Sequence, residues 1–121
     1  MNILLERKFF WGNGMIGKTV KVIIDRPLGS THPNHKNIVY EVNYGYVPDI
    51  IGGDGEEQDA YVIGVDCPVS EFEGRVIAII HRANDNETKW VVAPLGMNFS
   101  KDEIARAVNF QERYFSVSIE N

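Results

Sequence analysis

Short apolar runs rich in β-branched residues recur along the chain, separated by clusters of Gly, Pro, Asn and Asp. This pattern predicts strands over residues 18–25 (KTVKVIID), 37–42 (NIVYEV), 60–65 (AYVIGV), 75–81 (RVIAIIH) and 89–93 (KWVVA). One helix is predicted near the end. Ser100 with Glu103 three residues on forms a capping box. Ile104, Ala107, Val108 and Phe115 then recur at helical spacing, and Phe110 and Tyr114 widen that stripe. Many short strands followed by one helix read as an α+β chain, mainly β. The expected architecture is a small closed OB-like five-stranded β-barrel with a C-terminal α-helix packed on it. No repeat, low-complexity tract or linker divides residues 1–121, so a single domain is expected.

Composition narrows the function classes. The chain has 121 residues, 44% hydrophobic and 24% charged, which fits a folded domain. Its net charge of -5 argues against a nucleic-acid binder, which needs a basic face. No run approaches the length of a membrane span, and Glu6, Arg7 and Lys8 interrupt the early apolar run, so neither a membrane anchor nor a signal peptide is expected. The single Cys67 excludes an internal disulfide, reads as a small, partly buried side chain, and makes the cytoplasm the default location.

The charge is placed unevenly: between Asp54 and Glu87 there are nine acids and two bases. They concentrate in two loops, 52–59 and 84–87, each at the end of a predicted strand. In a barrel, two such loops can meet at one mouth. Gly52-Gly-Asp54-Gly-Glu56-Glu-Gln-Asp59 crowds carboxylates that repel one another unless cations or hydrogen bonds offset the repulsion. Oxygen-only donors suit a hard ion such as Mg²⁺, while Asp-Gly equally marks a solvated hairpin turn. Asn43-Tyr44-Gly45-Tyr46 is either an aromatic strand end or a source of phenol hydroxyls near a polar ligand. Asn84-Asp85-Asn86-Glu87 is either a hairpin tip or a supply of further ligands, with Lys89 after it as a phosphate contact.

Two other motifs read as structure. Residues 12–19 (GNGMIGKT) match the Walker A and GxGxxG patterns, yet Val20 to Ile24 signal a strand where phosphate binding needs a helix. A glycine-rich turn is expected there. His32-Pro-Asn-His35 lacks the second half of a zinc site and reads as a surface loop whose imidazoles can touch an anionic substrate.

Taken together, Tyr40-x-x-NYGY followed by DGEEQD, with IIDRPLGS, GRVIAII, KWVVAP and FQERY, resembles the soluble, Mg²⁺-dependent inorganic pyrophosphatases of the β-barrel type. The resemblance runs from Lys21 to Phe115. It implies hydrolysis of inorganic diphosphate to two orthophosphates by a metal-activated water, with Mg²⁺ (or Mn²⁺) as cofactor and a homo-oligomer as the assembled form. It implies that Asp54 and Asp59 hold metal, with Asp85 and Glu87 as the acids available in a shortened loop. It makes Glu56 the proton acceptor, in place of the family's usual Asp. It makes Lys21 and Lys89 phosphate ligands, and it lines the site with Tyr40, Tyr44 and Tyr114. An added methylene at Glu56 displaces a carboxylate by roughly 1–1.5 Å, a shift that can cost about 100-fold in rate.

The departures are specific. Phe115 replaces a lysine, Ile23 replaces an acid, and residues 29–37 hold no arginine where the family has a phosphate ligand; His32, His35 or Lys36 are the candidate substitutes. They keep two alternatives open: a phosphate- or metal-binding module without turnover, and a hydrolase of another diphosphate.

Overall fold

The computed structural model describes residues 12–83 and 87–121. A 3₁₀ turn, Gly12–Met15, leads through Gly17, which has φ near +95°, into strand β1 (Thr19–Arg26). Thr19 opens a strand rather than a helix, so the glycine-rich segment is a turn, as its sequence suggests. Strands β2 (Asn43–Ile51), β3 (Glu57–Val62), β4 (Glu71–Arg82) and β5 (Thr88–Ala93) follow, then helix α1 (Lys101–Glu112) and strand β6 (Val117–Glu120).

The strands close on themselves. Their order is β1-β2-β3-β5-β4, and β4 pairs back onto β1. Among the described residues β3 and β5 run parallel and the other barrel pairs are antiparallel. The far end of β4 also carries β6. The result is the expected five-stranded barrel with one helix packed on it.

Strand alternation sends side chains to two cores. One draws on all five barrel strands and none of the helix: Val22, Ile24, Val47, Ala60, Val62, Val76, Ile79, Trp90 and Val92 fill the barrel. The other lies on the outer face, where Tyr61, Ala78, Ile80 and Val91 meet Ile104, Val108 and Phe110 of α1. The capping box holds as read: Ser100 Oγ accepts from the Glu103 N–H at 3.1 Å, and Glu103 accepts from the Ser100 N–H at 2.8 Å.

Gly45 shows why a glycine stands in NYGY. A Cβ there would lie 1.8 Å from the Ile23 carbonyl oxygen on the paired strand. Backbone cannot yield as a side-chain tip can, so β1 and β2 would have to separate. Gly45→Ala is expected to lower stability by about 3 kcal/mol or more, beyond ordinary overpacking. A urea midpoint equal to that of the parent chain would refute this.

Four expectations change. Residues 37–42 form no sheet strand. Ile38, Tyr40 and Val42 are buried in alternation, but among the described residues the segment pairs with residues 29–32 of its own loop, through Gly29 N–H to Tyr40 O, Tyr40 N–H to Ser30 O and His32 N–H to Ile38 O. The second sheet strand is instead Asn43–Ile51, reaching past Pro48 by a register break between Val47 and Ile51. Helix α1 ends at Glu112, so Tyr114 and Phe115 lie beyond it and are exposed, while Gln111 and Glu112 take the buried places. Cys67 is exposed rather than partly buried. No helix among the described residues is long and apolar enough to cross a membrane.

Candidate active site

The β3 alternation that buries Ala60 and Val62 inside the barrel points Asp59 and Tyr61 outwards. In the same way β5 buries Trp90 and Val92 and sends Lys89 and Val91 out. Pairing of Tyr44 with Tyr61 and of Tyr46 with Asp59 brings β2 tyrosines beside them. These registers place an ion cluster on the outer barrel face. Lys89 is almost fully buried, and its Nζ donates to Asp59 Oδ2 at 2.6 Å, to Tyr44 OH at 3.0 Å and to Glu87 Oε1. An ammonium has three donors, and all three are used. Burial works against the Lys89 charge, but Tyr44, Asp59 and Glu87 outweigh it and hold the lysine above its ordinary pKa. Burial pushes the Tyr44 phenol well above the usual tyrosine range, so Tyr44 keeps its proton while its oxygen accepts from Lys89.

A second network joins α1 to the barrel. Tyr61 OH donates to Glu112 Oε2 at 2.5 Å, and Arg82 grips both Glu112 oxygens, Nε at 3.0 Å and Nη2 at 2.7 Å. Gln111 Nε2 donates to Tyr61 OH at 2.6 Å and its Oε1 accepts from Tyr40 OH at 3.0 Å. Burial, reinforced by Glu112, pushes the Tyr61 phenol well above its ordinary value.

Between these networks lies a cleft of about 440 Å³. Its walls include Arg26, Arg82 and Lys89, His32 and His35, and Tyr40, Tyr44 and Tyr114. A chain of net charge -5 thus concentrates cationic side chains and tyrosines in one cavity. Such a wall suits an anion with several acceptor oxygens.

The residues singled out in the sequence fare differently. Asp59, Glu87, Lys89 and Tyr44 come together, and Tyr40 and Tyr114 line the cleft. Asp54 and Glu56 sit exposed on the β2–β3 hairpin, where Asp54 Oδ1 accepts from the Glu56 N–H at 2.9 Å. Lys21 is half exposed, pairs with Glu71 at 3.1 Å and does not line the cleft. Asp85 lies outside the described residues. Arg26, Arg82, Tyr61, Gln111 and Glu112 were missed. A signal existed for the last two: Ile104, Val108, Gln111 and Glu112 sit at i, i+4, i+7 and i+8, so the apolar stripe has a polar end.

No family model and no curated protein matches the sequence. Solved structures do match the fold. An inorganic pyrophosphatase from Ehrlichia chaffeensis superposes with a TM-score of 0.67 at 20% identity, covering 88% of this chain and 87% of that one. The Coxiella burnetii inorganic pyrophosphatase gives 0.63 at 17% identity over 88% and 86%. The Helicobacter pylori enzyme gives 0.62 at 19% identity over 86% and 85%. The fold is that of the inorganic pyrophosphatases. At these identities the likeness is one of fold, and the pyrophosphatase-fold cleft has to be judged on this chain's own residues.

A divalent cation is the group that the pyrophosphatase resemblance implies. Among the described residues, no group of three or more His, Cys, Asp or Glu could hold a metal ion. Mg²⁺, however, is often held by one or two carboxylates together with water and substrate phosphates. Asp59 and Glu87 converge on one cationic point, Lys89 Nζ. This oxygen-only pair fits a cation shared with a phosphoryl ligand.

The buried phenols and lysine give the pyrophosphatase-fold site a pH signature. Unfolded tyrosine loses its proton near pH 10 and unfolded lysine slightly above. Tyr44, Tyr61 and Lys89 hold theirs longer when folded. Their contribution to stability is therefore complete below about pH 10 and is lost as pH rises above it. Urea midpoints should fall steeply between pH 9.5 and 11.5, roughly, and less steeply in Tyr44→Phe; equal slopes would exclude Tyr44 as a source.

Proposed function

We propose that the chain hydrolyses a phosphoanhydride, with inorganic diphosphate as substrate and Mg²⁺ as the activating ion. The supporting observation is the convergence of Asp59 and Glu87 on Lys89 at the edge of a cationic, tyrosine-lined cleft.

Diphosphate is multiply charged and repels an anionic nucleophile. The cleft answers with Lys89 and Arg82 on its wall and with the hydroxyls of Tyr44 and Tyr114, beside Tyr40, whose O–H is held by Gln111. An arriving phosphoryl oxygen competes with Asp59 and Glu87 for the Lys89 ammonium. Each bond Lys89 exchanges for a phosphoryl oxygen frees a carboxylate oxygen. Asp59 and Glu87 are then the residues that would hold Mg²⁺, which when bound neutralises phosphate charge and acidifies water. Tyr44, kept protonated by burial, hydrogen-bonds phosphoryl oxygens or the leaving phosphate. The water's proton passes to Glu56 in the role that the resemblance gives it, with Asp54 as a further ligand. Both roles require the exposed β2–β3 hairpin to reach the cleft.

That requirement favours a second reading, in which the cleft binds phosphate or metal without turnover. Phosphate release from diphosphate at neutral pH, with Mg²⁺ and then Mn²⁺, separates the two. Metal-dependent release that Glu56→Gln loses supports hydrolysis with Glu56 as base. Release that Glu56→Gln retains keeps the activity and removes Glu56 from it. No release from folded protein with either ion leaves the binding module.

A further inference from the structure

We infer that Arg26, with His32 and His35, forms an anion subsite that takes a phosphoryl group at the opposite side of Tyr40 from Lys89. The inference rests on the phosphate-binding part of the proposed function but not on turnover.

Arg26, Arg82 and Lys89 all line the cleft. Two of these cations are already answered. Lys89 is bonded to Asp59, Glu87 and Tyr44, and Arg82 makes two short bonds to Glu112. Arg26 differs. Its Nε is buried and, among the described residues, has no hydrogen-bond partner. Its Nη1 lies 3.5 Å from Asp25 Oδ2, longer than a charge-assisted bond, and that carboxylate is half exposed. A buried guanidinium N–H without an acceptor is costly, and ions or water commonly answer such groups.

Apart from the Asp25 carboxylate, the neighbours of Arg26 in the cleft are His32, His35 and Tyr40. His32 and His35 stand 4.9 Å apart, and among the described residues neither meets a carboxylate. The Asn34 N–H donates to His32 Nδ1 at 3.0 Å, which assigns the ring proton to Nε2 and makes that atom a donor. Burial, His35 and Arg26 together lower the His32 pKa, so this donor is neutral near pH 7. The Tyr40 ring stacks with His32 at 6.1 Å and with Tyr44, the hydrogen-bond partner of Lys89, at 5.5 Å, so it separates the imidazole side of the cleft from the lysine side. A planar fork and imidazole N–H groups arriving from different segments suit the oxygens of a tetrahedral phosphoryl group.

The test is calorimetric titration of the full chain with methylenediphosphonate, a diphosphate that cannot be hydrolysed, in the presence of Mg²⁺. Arg26→Gln is expected to bind about tenfold more weakly or worse, and Arg26→Lys, which keeps charge but loses the fork, to fall between. Urea midpoints check that each variant is folded. A second measurement needs no variant: orthophosphate titrated into the parent chain should shift the imidazole C–H resonances of His32 and His35. Binding by Arg26→Gln equal to the parent's overturns the subsite, as do unmoved imidazole resonances at saturating phosphate. Parent binding without phosphate release from diphosphate leaves the subsite standing and defeats the hydrolytic reading. Phosphate release that is fully retained in Arg26→Gln and Arg26→Lys does the reverse.

Discussion

Asp59→Asn is expected to reduce phosphate release from diphosphate by about 10²–10³-fold, the scale of removing one electrostatic group from a reacting site. The substitution is nearly isosteric, so the hydrogen bond to Lys89 Nζ at 2.6 Å can persist while the charge is lost. Two consequences follow for the site. Lys89 loses one of its carboxylate partners, and under the proposed function a divalent cation would lose one of its ligands. A drop in rate that more Mg²⁺ partly restores would locate the loss in cation affinity; a drop that it does not restore would locate the loss in the organisation of Lys89. Release within twofold of the parent at every Mg²⁺ concentration would remove Asp59 from the chemistry.

Glu112→Ala is expected to destabilise the fold by about 3–5 kcal/mol, the usual result of removing one partner of a buried ion pair. Glu112 is buried and accepts from Tyr61 and twice from Arg82. Without it the Arg82 guanidinium, 9% exposed, keeps its charge with its main acceptor gone. Domains of this size are stable by about 5–15 kcal/mol, so the loss is a large fraction of the total. Replacing both partners, Arg82→Met with Glu112→Leu, should recover most of it, because an apolar pair leaves no buried charge. Urea unfolding of both variants decides the matter. A Glu112→Ala midpoint close to the parent's would mean that water reaches Arg82 and answers it.

The buried position of Glu112 also shows what one sequence conceals. Helical spacing from Ile104 leads correctly to Val108, but it also invites Phe115 into the stripe, and Phe115 proves exposed beyond the helix end. What selects Glu112 in its place is Arg82, thirty residues away on β4, and nothing local announces that pairing. Residues 37–42 teach the same lesson. Their alternation is real and buries Ile38, Tyr40 and Val42, yet an extended segment joins a sheet only if a neighbouring strand offers its backbone. NYGY found that neighbour and carried β2 through Pro48 to Ile51.

The candidate site divides along the same line. Lys89 and the acid-rich loops were legible as chemistry, since like charges packed in short stretches need an explanation. Which acids meet was not legible. Asp54 and Asp59 lie five positions apart, and only Asp59 falls on the outward phase of β3 beside Lys89; Asp54 turns into its own hairpin.

By itself, then, the sequence determined the elements whose causes are local: the cores of β1, β4 and β5, the capped start of α1, the turn at residues 12–17 and the acidic hairpin. Strand propensity, capping chemistry and turn residues act within a few positions, so they can be read in order along the chain. Only the tertiary structure decided that β3 and β5 lie parallel, that Tyr44 reaches Lys89 across 45 residues, that Arg82 answers Glu112, and that Arg26 Nε, among the described residues, has no acceptor. Those outcomes depend on strand register and on the competition of each buried polar group for partners, and both are settled only when distant segments pack together.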